Sequence, residues 1–335
     1  MAGIRTEGED ELIETTFAPL AAGFQGALGL KDDCALLSPP PGEDLVLTTD
    51  AVAAGVHFFP DDAPADIAWK ALAVNVSDLA AKGARPIAYL MSLAFPERPE
   101  RGWLDAFANG LAEAQAAFGI GLAGGDTDRR PGPFSATITA IGSVPTGQMV
   151  RRTTAHPGDV LFVSGTLGDS ALGLLLRQDR ELASALGLGE AEARHLIGRY
   201  LRPEPRLALA PALRGFASAA MDISDGLLKD CGRLVRAAGV SATLDSTRLP
   251  VSGAAQRALL QRPALLERVL TGGDDYEVLA AVPPDRVTAF RAAAAAGGVA
   301  VSEIGHVATG SGIAVTGQDG RALEFGAAGW DHFPH

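Results

Sequence analysis

Aspartate is the residue type whose placement in this chain points to chemistry. Asp32 and Asp33 sit in GLKDDCALL, Asp50 in LTTDAVAAGVHF and Asp78 in KALAVNVSDLAAKGARP. Asp126 follows two glycines in AGGDTD, Asp222 and Asp225 lie in MDISDGLLKD, and Asp274 and Asp275 in TGGDDYEVL. Carboxylates are hard oxygen ligands suited to Mg²⁺, and Thr or Ser hydroxyls complete such a shell. Glycines beside them let backbone amides approach a phosphate. Carboxylates gathered at one place repel one another, so a cluster of this kind predicts dependence on a cation. Singly, an Asp at a strand end is also an ordinary turn former or helix N-cap, and Asp225-Gly226 before a helix fits capping. Asp78 resists that explanation, because it shares an apolar helical stretch with Asn75.

Other motifs are weaker. No G-x-x-x-x-G-K-[ST] phosphate loop, H-E-x-x-H or G-x-S-x-G occurs. Gly119-Ile-Gly121-Leu-Ala-Gly124 matches G-x-G-x-x-G but runs into Gly125-Asp126 without a clear helix, which argues against a dinucleotide fingerprint. His57 follows Asp50 in the same segment, with a structural role as its plain alternative. Gly165 to Ser170 precedes a helix and reads equally as an anion site or a tight strand-to-helix turn. Arg151-Arg152 reads as a phosphate contact or as a solvated basic linker.

These residues need elements to position them. Apolar patterning predicts strands at 45–49, 87–95, 122–124, 135–144, 160–163, 217–223 and 276–282. It predicts helices at 67–82, 103–118, 226–238 and 285–296, the second closed by Gly119 as a C-cap. Several aspartates, Asp50 among them, then fall at strand ends. Alternation of this kind indicates α/β layers, with parallel and mixed sheets both open. The polar, Pro- and Gly-broken stretch 145–159 reads as a junction between two domains, which suits 335 residues.

Hydrophobic residues make up 47% and charged residues 20%, the composition of a chain that buries a core. The net charge of −12 argues against general affinity for nucleic acid or an anionic membrane. No apolar run reaches the roughly 18 residues of a membrane span. The acidic start, MAGIRTEGEDELIETTF, lacks an apolar signal core, and Cys34 and Cys231 form no pairing framework. A cytoplasmic location is therefore expected.

Taken in order, GLKDDCALL, LTTDAVAAGVHF, KALAVNVSDLAAKGARP, AGGDTD, RRTTAHPGD, SGTLGDSALGL, MDISDGLLKD, TGGDDYEVL and the terminal GWDHF resemble the thiamine-monophosphate kinase family. The likeness runs through nearly the whole chain. It implies an α/β (α+β) protein with the two-domain PurM-like fold of the aminoimidazole-ribonucleotide synthetase superfamily. Residues 1–148 would form an N-terminal ATP- and Mg²⁺-binding, dimerising domain. Residues 149–335 would form a C-terminal domain that completes the nucleotide and substrate site. The implied reaction is transfer of the γ-phosphoryl of ATP to thiamine monophosphate by a homodimer, the last step of thiamine diphosphate biosynthesis.

The resemblance also implies residue roles. Asp33, Thr48, Thr49, Asp50, Asp78, Asp126, Asp222 and Asp225 match positions that hold several Mg²⁺ ions. Gly125, Asp126, Arg152 and Ser224 match ATP contacts, and His57, Asp274 and Phe325 match contacts to the thiamine substrate. Three departures stand out. Lys31 replaces a usual Gly, so its Cβ limits positive φ there. Asp274 replaces a common Glu, and Phe325 a frequent Trp, with Trp330 competing for the stacking role. No nucleophile is evident, and the acceptor's phosphate oxygen is already anionic. Direct in-line transfer is expected, with Mg²⁺ offsetting repulsion between two polyanions and no phospho-enzyme. The rivals are an ATP-dependent cyclo-ligase or selenophosphate synthetase of the same superfamily, a Mg²⁺-dependent phosphohydrolase and a non-catalytic nucleotide sensor. Selenophosphate synthetase fits less well, since no cysteine sits in a Gly-rich N-terminal segment.

Overall fold

The computed structural model describes residues 12–326 and 329–330. The acidic stretch 1–11 and part of the terminal GWDHF lie outside the described residues. The chain divides into two units, one of residues 1–79 and 85–147, the other of 80–84 and 148–335.

The first unit is a four-stranded sheet of β1 (Glu43–Ala53), β2 (Arg85–Phe95), β3 (Gly121–Arg129) and β4 (Ser135–Pro145), in the order β1-β4-β2-β3. Helices α1 (Pro64–Ala81) and α2 (Arg101–Phe118) accompany it. The β2–β3 pair is parallel and the other pairs antiparallel, so the sheet is mixed. The parallel pair follows from α2, which carries the chain back across the sheet. Helix α2 stops at Gly119, left-handed at φ 65° as a C-cap requires. Buried Ala136, Ile138 and Ala140 alternate along β4 with half-buried Thr137, Thr139 and Ile141. That period of two marks a sheet covered on one face. On β1 and β2 the other face shows Leu47 and Leu90, 62% and 41% exposed.

Two strands run further than the residue pattern suggests. β1 continues to Ala53 and β3 to Arg129, so Asp50 and Asp126 sit inside strands rather than at their ends. The polar residues there pair normally, because a ladder is made by the backbone and tolerates an exposed carboxylate on its open side.

The second unit is built on six strands: β5 (Val160–Ser164), β6 (Ala219–Ile223), β7 (Ser241–Asp245), β8 (Glu277–Val282), β9 (Val301–Ala308) and β10 (Gly312–Thr316). Their order is β10-β7-β9-β5-β8-β6, with only β10–β7 parallel. The helices used below are α3 (Asp169–Gln178), α4 (Glu190–Leu201) and α5 (Leu227–Ala238). Here both faces are covered. Leu161, Val163, Met221 and Leu279 enter one apolar cluster with Leu172, Leu196 and Leu234. Phe162, Ala220, Val278 and Ala280 enter another with Leu213 and Phe290. All six residues of β8 are buried, which is why this strand reads as a nearly unbroken apolar run. The junction stretch 146–159 holds no helix or strand.

Candidate active site

In the first unit, β1 and α1 bring three of the expected residues together. Thr48 Oγ1 donates to Asp78 Oδ2 at 2.6 Å, and Asn75 Oδ1 accepts the Asp50 N–H at 2.9 Å. The geometry follows from two periods. Thr48 and Asp50, two apart, face one side of β1, while Asn75 and Asp78, three apart, share one side of α1. Helix α1 is buried along most of its length, and Asn75 and Asp78 are polar residues set into that apolar surface. Thr49 turns to the opposite face, bonding Ile138 O at 3.1 Å and Thr139 Oγ1 at 3.0 Å.

Asp33 and Asp126 are exposed, and neither side chain makes a hydrogen bond or ion pair among the described residues. Asp126 lies on β3, the edge opposite β1, so about 14 Å of sheet separates its backbone from that of Asp50 at three strand spacings. Among the described residues, no three His, Cys, Asp or Glu side chains stand together as a metal-ligand group. Gly125 pairs with Met91, and a Cβ there would come within 1.8 Å of Met91 O, so glycine is required by close backbone approach. His57 Nδ1 accepts the Ala53 N–H at 3.0 Å, which places the ring proton on Nε2 as a donor. Lys70, buried in α1, donates to His57 O at 2.9 Å and anchors that loop.

The loop before β1 resolves the Lys31 departure. Lys31 has φ −104°, while the left-handed residues are Leu28, Gly29 and Leu30 just upstream. The Cβ of Lys31 therefore meets no positive-φ constraint.

In the second unit, the end of β6 and the turn before β8 come together. Asp274 N–H bonds Ser224 O at 2.8 Å and Tyr276 N–H bonds Ile223 O at 2.9 Å. Asp222, Ser224, Asp225 and Asp274 thus share one rim. Asp225 does not cap α5. Its Oδ2 pairs with Arg233 Nη2 at 2.6 Å and Lys229 Nζ at 3.5 Å. Asp230, inside α5, ties down the loop that precedes the helix, its Oδ2 accepting the N–H groups of Ser224 at 3.0 Å and Asp225 at 2.8 Å. Burial pushes the Asp230 carboxyl above the usual range, against the Asp225 N–H bond and Arg233. Arg152 is exposed and makes no hydrogen bond or ion pair among the described residues. Phe325 packs half-buried against the larger apolar cluster, while Trp330 is 52% exposed with its N–H on Asp225 O at 3.0 Å.

The Gly165–Ser170 turn is already occupied by carboxyl groups of the protein itself. Both Asp275 oxygens accept the Gly168 N–H, at 3.0 and 2.8 Å. Asp169 opens α3 fully buried and accepts from Thr166 Oγ1 at 2.7 Å and Ser252 Oγ at 2.5 Å, with His195 Nε2 at 3.1 Å. Burial pushes the Asp275 carboxyl well above its ordinary value, opposed by the Gly168 bonds and reinforced by Asp169 and Glu277. Sequence reading also missed Glu277, Arg199 and Arg206. Glu277 is fully buried and meets Arg199 Nη2 at 3.0 Å, Arg206 Nε at 2.7 Å and Ser164 Oγ at 2.6 Å. The available signal was a single Glu opening an otherwise apolar strand, EVLAAV, with Arg199 and Arg206 far from it in the chain.

Both domains are those of the AIR synthase related proteins: the N-terminal family model matches residues 31–144 and the C-terminal one residues 156–318. The thiamine-monophosphate kinase of Caulobacter vibrioides is 43% identical over 327 residues, covering 97% of this chain and 90% of that one. The crystal structure of thiamine-monophosphate kinase from Stenotrophomonas maltophilia is 40% identical, with a TM-score of 0.81 over 92% of this chain and 98% of that one. A further structure, described as AaThiL complexed with AMPPCP and TMP, is 32% identical, with a TM-score of 0.76 over 99% and 100% of the two chains. The chain belongs to the thiamine-monophosphate kinase family.

Proposed function

We propose that the protein transfers the γ-phosphoryl group of ATP directly to thiamine monophosphate, giving thiamine diphosphate and ADP. The observation that carries this reading is the likeness to thiamine-monophosphate kinases along nearly the full length of both chains. The site chemistry supports it. Asp78, Asp50 and Thr48 present hard oxygen donors, and the one partner shown for Asp78 is the neutral Thr48 hydroxyl. Such a donor set fits Mg²⁺. Asp33, Thr49 and Asp126 in the first unit, and Asp222 and Asp225 in the second, are the further ligands this reading assigns. Bound Mg²⁺ would offset the charge of the two phosphate-bearing substrates and align them.

The remaining roles fall to the protein. The Asn75 amide fixes the Asp50 backbone, so the carboxylate on β1 is held relative to α1. Gly125 allows close approach of backbone, and Arg152 and Ser224 are assigned to ATP. His57 offers its Nε2–H as a donor to an acceptor oxygen, and Asp274 and Phe325 are assigned to the thiamine moiety. The uncovered sheet face bearing Leu47 and Leu90 supports a homodimer formed through residues 1–148. None of the helices is long and apolar enough to cross a membrane among the described residues. Cytoplasmic operation is proposed from the two free cysteines, Cys34 and Cys231.

The decisive experiment is ADP release from ATP and Mg²⁺ with and without thiamine monophosphate, with the product identified by mass. Stimulation together with thiamine diphosphate is the expected result. Absence of stimulation in a folded sample that binds MgATP sinks the substrate assignment. Acceptor-independent ADP release would instead indicate a phosphohydrolase.

A further inference from the structure

The segment Gly272–Glu277 reads in the sequence as two glycines followed by three acids around Tyr276, yet in the structure each residue has a separate task. A Cβ on Gly272 would come within 2.3 Å of Ala171 Cβ, and one on Gly273 within 2.5 Å of Ser224 O. Asp274 and Tyr276 both take positive φ, 69° and 50°. Two non-glycine residues in that region within three positions cost on the order of 1 kcal/mol each or more, so neighbours must impose the conformation. Asp275 is pinned through its carboxylate to Gly168 N–H and through its carbonyl to Arg199 Nη2 at 3.4 Å. The Tyr276 hydroxyl donates back to Asp274 Oδ1 at 3.3 Å.

Glu277 closes the C-terminal end of this turn. Its carboxylate is held by Arg199, by both Nε and Nη2 of Arg206 and by Ser164, whose hydroxyl also accepts the Val278 N–H at 2.8 Å. It lies where a Cβ on Gly165 would be, 2.2 Å from Oε1. Stability alone gives little reason for such a group. Apolar residues of similar volume commonly match or exceed a buried ion pair. What a two-pronged guanidinium–carboxylate pair adds is direction, because both partners are planar and the bonds fix their relative rotation.

We propose that Glu277 and Arg206 are positioning residues, holding the Gly272–Tyr276 turn in the conformation that presents Asp274 to the acceptor substrate. The inference deepens the kinase reading and rests on it for the identity of that acceptor. Neither residue is asked to touch substrate. Arg206 suits the test because its side chain is 22% exposed, at the rim of the cluster.

Arg206→Lys keeps the charge and loses the two-pronged geometry. The expected result is a rise of about tenfold in KM for thiamine monophosphate, with KM for ATP within about twofold of wild type. Amide exchange in residues 272–276 should speed up by a similar factor, while amides of β5 and β9 keep their protection. In an Asp274→Ala background the same change should add little further loss of acceptor KM, since both alterations remove one interaction. Glu277→Gln serves as the second variant and should show the same split. Equal rises in both KM values, full additivity with Asp274→Ala, or unchanged exchange at 272–276 would each overturn the proposal. If the wild-type protein shows no response to thiamine monophosphate, the kinase reading fails, while the exchange measurement still decides whether Arg206 holds the turn.

Discussion

The acidic residues of the two units look alike in the sequence and are treated differently by the fold. In the first unit, Asp33 and Asp126 are solvent-facing without a partner among the described residues, and the partner shown for Asp78 is a neutral hydroxyl. In the second unit, Asp225, Asp230 and Glu277 are each met by arginine, and Asp169 and Asp275 by hydroxyls, an imidazole and a backbone N–H. Asp230 and Glu277 are compensated by arginine and shape loops, Asp275 is held by a backbone N–H, and Asp225 pairs with Arg233 at the rim of the proposed ligand set. The first set holds negative charge that the protein itself does not neutralise, the condition under which a bound cation stabilises most. Proximity to Gly or Ser does not separate the two kinds. The difference lies in which arginines and amides the fold delivers to each carboxylate.

Charge-removing substitutions break or sharpen that comparison. The largest effect is expected at Asp78. Asp78→Asn should lower kcat on the order of 1,000-fold, the scale of losing one group that stabilises developing charge. Its melting temperature should stay level or rise, since one repelling charge is removed from an unneutralised site. Asp50→Asn should lower kcat in the same way. Matched loss of activity and melting temperature would place these acids with the compensated set.

The opposite is expected of Glu277→Ala. It strands Arg199 and Arg206 beside an empty space in the interior, a change that costs about 3–5 kcal/mol. Urea unfolding should show the drop, and its absence would mean that the ion cluster is dispensable. Asp33→Asn, measured in the same way, should move stability by less than about 0.5 kcal/mol, because nothing in the fold depends on that charge.

A pH series separates the sets further. Burial raises the Asp275 carboxyl well above its unfolded value. Such a group contributes its full stability below the unfolded carboxylate pKa and loses it as pH rises through the folded one. Asp275→Asn is neutral at every pH and can still accept the Gly168 N–H. Its urea midpoint should therefore exceed that of wild type near neutral pH, with the gap narrowing steadily toward pH 4. A gap that stays constant with pH would show that Asp275 is not held against its charge.

Much of this arrangement was legible before the structure. Period-two and period-3.6 patterns located β1, β2, β4, α1 and α2, and Gly119 announced the end of α2. The pairing of Asp78 with Thr48 was foreshadowed by a polar residue inside an apolar helix. The sheet order was not legible, because register across 89 residues between Thr49 and Ile138 leaves no local mark. Strand ends were expected at Asp50 and Asp126 and are not there for a related reason, since a backbone ladder continues under exposed carboxylates. The Glu277 cluster was invisible because its members, Ser164, Arg199, Arg206 and Glu277, meet only after the sheet forms.

The smallest expected effect concerns the loop that carries Asp33. Leu28 and Leu30 adopt φ 53° and 56°, with Gly29 between them at 68°. A side chain disfavours that region, and glycine removes the penalty at the expense of a more mobile unfolded chain. Leu28 is 49% exposed, so little packing is lost on its removal. Leu28→Gly should therefore change stability by no more than about 1 kcal/mol, in the stabilising direction where relief of strain exceeds the entropy term. Lys31→Gly, at φ −104°, has no such strain to relieve and should destabilise by a few tenths to about 1 kcal/mol. The two melting curves measured side by side test whether strain in this loop sits where the backbone places it, upstream of Lys31. A stabilising Lys31→Gly would move it to the position the family comparison had suggested, next to the uncompensated carboxylate.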